Sequence, residues 1–342
     1  MKSTSLLAAL AFAAASLLSS CKQDPQSANG PNLPLNSPST PAHPAIAYWG
    51  INVIHRTGYR ALGVMDTNAS HQTWLYTAGS TSEIIDYPNW SPTGGSIAFI
   101  DMTGTYANTL QAIDVSVNSN GVAVGSNRRT LYSVSTSDSM KLYTPGWCSV
   151  STTGKIAFMR LHFDHSHYGL AELCLISQSG GTPTVLASIT ELKSNGQIAG
   201  GLQYPTWKPD DSKIAVVRQD TAFHCSTILV FNASTGAVTD SIPMQVDAFQ
   251  LEWSRTGQNE LVFCGSNGTS QYVYYTAPTT GSTPSTNSIV GYSSSWSPNN
   301  SSVFYWAGYS AGTVSKVVPF STTTTLVSSS VPNNGQMFRW KR

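Results

Sequence analysis

Residues 88–100 read PNWSPTGGSIAFI, and the same phrase returns four times in the chain. It is PGWCSVSTTGKIAFM at 145–159, PTWKPDDSKIAVV at 205–217, LEWSRTGQNELVF at 251–263 and SSWSPNNSSVFYW at 294–306. Each copy has a tryptophan, a polar turn, then a run of apolar or β-branched residues that suits a strand. The run begins seven residues after Trp90, Trp207 and Trp296, eight after Trp253 and nine after Trp147. The intervals between these tryptophans are 57, 60, 46 and 43 residues, with 44 more to Trp340. Four-stranded propeller blades repeat at about 40–45 residues.

The other strands of each repeat fall where that period puts them. Third strands read LQAIDV, AELCLI, TILVF, YVYYT and TVSKVV; fourth strands read RTLYSV, PTVLASI, AVTDSIPM, STNSIV and TTLVSSSV. The segment from Ile46 supplies three strands without a tryptophan strand, and MFRWKR at the C-terminus supplies a tryptophan strand without followers. Joined, they make one composite blade. The expected fold is all-β: a six-bladed β-propeller of four-stranded antiparallel blades, closed by the C-terminal strand joining the N-terminal strands. Trp90, Trp147, Trp207, Trp253, Trp296 and Trp340 are expected at one repeated position, packing blade on blade.

The WSPxG, IAF and VMD elements, with GVMDTNASHQTWL at 63–75, resemble the repeats of TolB and related six-bladed bacterial propellers. The resemblance covers roughly residues 45–342 and implies a six-bladed propeller, while fold alone does not fix function. TolB also has an N-terminal α/β domain, for which residues 22–44 leave no room.

Composition narrows the setting. Charged residues make up 10% of the chain, against roughly 25% in ordinary soluble domains. The formal net charge is +1. Nucleic-acid binding needs clustered Lys and Arg, so that class is excluded. Residues 1–21 have Lys2 followed by an apolar run over 6–18. That run is too short for a membrane span of about 20 residues and reads as a secretory signal. LSSC at 18–21 resembles the bacterial lipobox, which implies lipidation at Cys21, a membrane anchor and no transmembrane helix in the mature chain. Lys22, where a retention signal would place Asp, leans towards the outer membrane. Residues 22–44 hold six prolines and little apolar bulk, which reads as a disordered tether. The folded domain then spans 45–342.

Blade topology sorts the loops. In a four-stranded meander, the hairpin between strands two and three shares a face with the connection to the next blade. That face receives His55, Tyr59, Asp101, Tyr106, His162, Asp164, His165, His167, Tyr168, Asp220, His224, Trp306 and Tyr309, the candidate binding residues. LHFDHSHYG at 161–169 is the densest stretch. His162, His165 and His167, with His224 from the next blade, form a candidate transition-metal set, since imidazole suits such ions. The competing reading is a polar contact loop. GYSAG at 308–312 matches G-x-S-x-G around Ser310, but a serine nucleophile needs a strand-to-helix elbow and this is a hairpin. Cys148 and Cys174, separated by a strand, are not expected to pair. Cys225 and Cys264 lie near one face on adjacent blades, and the sequence leaves their pairing open.

The expectation is a lipid-anchored, non-enzymatic envelope module that binds a protein or glycan partner. The alternative is an extracytoplasmic, polysaccharide-acting enzyme with its site on the histidine-bearing face.

Overall fold

A computed structural model describes residues 44–341, apart from 56, 69, 103–107, 134–141, 164–168, 192–201, 221–224, 256–259, 267–270, 277–284, 307–313, 320–323 and 329–335. Blade 1 contains β1 (Ile46–Ile54), β2 (Thr57–Met65) and β3 (Thr73–Thr77). Blade 2 is β4 (Ile84–Trp90), β5 (Ser96–Met102), β6 (Asn108–Val117) and β7 (Ala123–Ser133). Blade 3 is β8 (Leu142–Val150), β9 (Lys155–Phe163), β10 (Gly169–Ser177) and β11 (Thr184–Glu191). Blade 4 is β12 (Leu202–Trp207), β13 (Lys213–Asp220), β14 (Cys225–Asn232) and β15 (Val238–Pro243). Blade 5 is β16 (Asp247–Trp253), β17 (Leu261–Ser266), β18 (Gln271–Thr276) and β19 (Ser285–Val290). Blade 6 is β20 (Ser294–Trp296), β21 (Val303–Trp306), β22 (Val314–Val317) and β23 (Thr324–Ser328). The last strand, β24 (Gln336–Trp340), pairs antiparallel with β1, Ile46 opposite Trp340. It completes blade 1 in the order β24-β1-β2-β3. The chain is thus a six-bladed propeller closed by its own two ends.

The innermost strands touch in the cyclic order β24, β4, β8, β12, β16, β20. Middle strands are apolar on both faces because each blade is sandwiched between two others. In β13, Ile214 and Val216 pack towards blade 3, while Ala215 and Val217 pack towards blade 5. The period of two thus divides one strand between two seams. Each of the six seams has its own apolar cluster. Trp90, Trp207, Trp253, Trp296 and Trp340 end their innermost strands and are buried against the preceding blade. Truncating any one to alanine would cost about 3–5 kcal/mol.

Trp147 breaks the expected pattern. Trp90, Trp207, Trp253 and Trp296 stand opposite Ile97, Ile214, Leu261 and Val303. In blade 3 the residue opposite Ile156 is Val150, not Trp147. Val150 is buried in the seam with blade 2, so it fills the packing position. Trp147 lies three residues earlier, at a register shift between Gly146 and Cys148. Its nine-residue spacing to Ile156 therefore reflects a shift along the strand rather than a longer turn.

A buried charge network holds the closure. Arg255 donates from Nη2 to Glu252 Oε1 at 2.6 Å and to the Trp340 carbonyl at 3.0 Å, and from Nη1 to the Lys341 carbonyl at 3.0 Å. Glu252 Oε2 accepts the Trp296 backbone N–H at 3.2 Å and lies 3.6 Å from Arg339 Nη1. Blades 5 and 6 thereby grip the closing strand of blade 1.

Candidate functional site

The loop-bearing face carries two polar clusters at the seam of blades 1 and 2. The first forms around Asp101, which is 2% exposed near the end of β5. Arg128 on β7 pairs with its Oδ2, while Oδ1 is buried with no hydrogen-bond partner among the described residues. Glu83, in the connection from β3 to β4, accepts from Tyr76 Oη at 2.6 Å and from the Gly79 N–H at 2.7 Å. Arg128 stacks 3.9 Å over the Tyr76 ring and lies 4.0 Å from Glu83 Oε1. Burial, then the Glu83 charge, pushes the Asp101 carboxyl up to about 6, with Arg128 pulling the other way. Burial and the bond to Glu83 push the Tyr76 phenol up to about 12.

The second cluster is Asp86, Arg60 and Trp49. Arg60 stacks 3.9 Å over the Trp49 ring. Asp86 keeps some surface open to solvent. The protein still surrounds it closely enough that burial pushes its carboxyl up to about 7 against the pull of Arg60. Its Oδ1 accepts the Tyr87 backbone N–H at 2.8 Å.

Nearer the axis, three innermost strands share a local irregularity. Register shifts interrupt β4 between Asp86 and Asn89, β12 between Gln203 and Thr206, and β16 between Phe249 and Glu252. Tyr87, Tyr204 and Gln250 lie within these bulges with φ of 55°, 52° and 55°. Left-handed φ is costly for such bulky residues, and bulges of this kind re-aim a side chain.

The expected face residues divide. His55 is exposed at the turn of the β1–β2 hairpin with φ 50°. Beside it Val53 and Ile54 are 66% and 41% exposed. Tyr59 stands opposite Asn52 in that hairpin. Asp101 lies beneath the face in its ion pair. His162 is on β9 opposite Leu170, Asp220 ends β13 and Trp306 ends β21. Tyr106, Asp164, His165, His167, Tyr168, His224, Tyr309 and Ser310 lie outside the described residues, so three of the four candidate metal ligands do as well. Among the described residues no group of three or more His, Cys, Asp or Glu is placed to hold a metal ion. Cys225 and Cys264 are both free, as is Cys174. Burial pushes the Cys174 and Cys264 thiols up to about 12.

On the opposite face, Asp66, Ser70 and His71 bring together the groups of a nucleophilic triad. His71 Nδ1 lies 2.6 Å from Asp66 Oδ2 and 3.1 Å from Ser70 Oγ. Both partners meet the same ring nitrogen, whereas proton relay needs one on each. The cluster is a turn. Sequence reasoning missed Glu83, Asp86, Arg60 and Arg128, which are far apart in the chain and follow no motif.

No family model and no curated protein matches the chain. Its fold is similar to that of TolB from Acinetobacter baumannii, with a TM-score of 0.60 at 16% identity over 87% of this chain and 66% of that one. The chain thus spans slightly under two thirds of that protein. A Lactobacillus plantarum protein gives 0.53 at 12% identity, over 87% and 99% of the two chains. The periplasmic gluconolactonase PpgL of Pseudomonas aeruginosa gives 0.51 at 11%, again over 87% and 99%. Identities this low show the fold alone. No helix among the described residues is long and apolar enough to cross a membrane.

Proposed function

We propose that the chain is a non-enzymatic binding module of the bacterial envelope, anchored through Cys21, whose loop-bearing face docks a protein partner. The observation that carries this reading is the β1–β2 hairpin, which presents the exposed side chains of Val53 and Ile54 near its tip. Covering both side chains would contribute roughly 2–4 kcal/mol. The signal-like segment, the lipobox-like LSSC and the likeness to the TolB propeller support the envelope setting. The polar clusters suit a scaffold as well, since Arg128 caps Asp101 and Arg60 stacks on Trp49 instead of presenting open charges.

An enzymatic reading would use the Glu83 and Asp101 carboxyls as an acid–base pair. Arg128 already lies against both of them, and substrate would have to displace it.

Affinity capture from detergent-solubilised envelope tests the docking reading. A Val53→Asp, Ile54→Asp protein should lose at least tenfold of a specific partner that wild type retains. Ser234→Asp, on the opposite face, should keep it. Equal recovery by all three proteins would sink the reading.

A further inference from the structure

We infer that the axis of the propeller on its loop-bearing side is a saccharide-binding site, formed on β4, β12 and β16 around Tyr87, Tyr204 and Gln250. This site is separate from the hairpin tip and stands or falls independently of protein docking there.

Register brings these residues together. Tyr87 is to Trp90 what Tyr204 is to Trp207 and Gln250 to Trp253, each three residues before the packing position. Blades 2, 4 and 5 thus place Tyr87, Tyr204 and Gln250 at one level of the innermost strands. The rings of Tyr87 and Tyr204 lie 6.1 Å apart, edge to face. Their strands lie on either side of β8, so the two rings meet across it.

Tyr87 and Tyr204 also pack against the seam clusters of blades 2–3 and 4–5, but burial of the packing tryptophan does not require an aromatic residue at this position. In blade 6 the same position is Ser293, and Trp296 is still fully buried against blade 5. Holding Tyr87, Tyr204 and Gln250 at left-handed φ is unfavourable for each residue, and such strain persists where the surrounding fold enforces it, commonly at ligand sites.

The chemistry points to sugars. Aromatic rings offer flat apolar faces with polar tips. The same bulged strands carry amides: Gln250, whose buried Oε1 has no partner among the described residues, and Gln203, which donates to Gln219 Oε1 at 2.9 Å. A purely apolar ligand would strand these groups. A sugar ring presents an apolar C–H face to an aromatic ring and hydroxyls that both donate and accept. None of the three residues carries a formal charge, so a strongly ionic ligand finds no counter-charge among them.

The test uses chitotetraose and cellotetraose by saturation-transfer NMR and calorimetry, together with retention on purified sacculi. The key variant is Tyr87→Asn, Tyr204→Asn, because asparagine tolerates left-handed φ and should keep the backbone. Wild type should bind at least one tetrasaccharide saturably, the double variant at least tenfold more weakly, and Val53→Asp as wild type does. Retention on sacculi in addition identifies the wall glycan as the source, and tetrasaccharide binding alone identifies a soluble one. If the double variant melts well below wild type, Gln250→Asn takes its place with the same expected loss. Failure of wild type to bind either sugar or sacculi, or equal binding by the variant, overturns the inference.

Discussion

Replacing Glu252 with glutamine should loosen the ring at its closure. The carboxylate receives Arg255 at 2.6 Å and the Trp296 N–H at 3.2 Å, and it faces Arg339 at 3.6 Å. Glutamine keeps an acceptor for Trp296 but leaves two buried guanidinium groups without a counter-charge. Breaking a buried pair in this way costs about 3–5 kcal/mol. At roughly 2 °C per kcal/mol for a domain this large, the melting temperature should fall by about 6–10 °C. Urea unfolding and calorimetry at pH 7.5 would measure the cost, and hydrogen exchange would locate it. Amides of β24 should exchange faster than those of β12, which lies outside the network. The pH dependence gives a second check. Burial pushes the Glu252 carboxyl up, but Arg255 and Arg339 outweigh it and hold it below its ordinary value of 4.5. A depressed acid contributes its full stability above the unfolded-chain value and loses it as pH falls through the folded one. The gap between wild type and variant should therefore start to narrow below about pH 4 and close as pH falls through the folded value. A cost under about 1 kcal/mol at pH 7.5, or unchanged exchange in β24, would refute the idea that this network holds the ring shut.

Two further outcomes follow from local geometry. A Cβ on Gly236, which has φ 71°, would lie 2.0 Å from the Leu186 carbonyl of the neighbouring blade, so Gly236→Ala should cost about 2–4 kcal/mol in urea unfolding. Gly181→Ala, at φ 117° with nothing within 4 Å, should bear only the smaller backbone cost. Asp86→Asn should change how stability varies with pH. The Asp86 carboxyl is raised from 3.8 to about 7, so its contribution is complete below about pH 4 and is lost as pH rises through 7. The variant should match wild type at pH 4 and exceed it at pH 8 by about 1–2 kcal/mol, the shift being discounted for solvent screening at this half-buried group. A variant less stable than wild type at pH 8 would contradict this.

The ring was readable in the sequence because its signals are local and repeated. Trp90 and Ile97 stand seven residues apart for the same reason as Trp207 and Ile214: one turn joins two paired strands. The composite blade was readable because MFRWKR matches the strand that the segment from Ile46 lacks. Trp147 misled because residue type was visible and register was not, and only pairing with β9 shows Val150 in the packing place. The long intervals around Trp147 include the connections 134–141 and 192–201, against 244–246 and 291–293 elsewhere. Position in the ring also put Asp101 on the loop-bearing side, but not its burial. Its partner Arg128 is 27 residues away and its neighbour Glu83 comes from the preceding connection. The bulges at Tyr87, Tyr204 and Gln250 had no local signal, because left-handed φ is ordinarily announced by glycine or asparagine.

The central claim is that partners dock on the loop-bearing face. Photo-crosslinking in living cells tests it most directly, with a photoreactive residue at position 53 on that face and, separately, at position 234 on the other. The account predicts a discrete crosslinked protein from position 53 and none from position 234. Crosslinking from 234 alone, or an identical product from both positions, would contradict it.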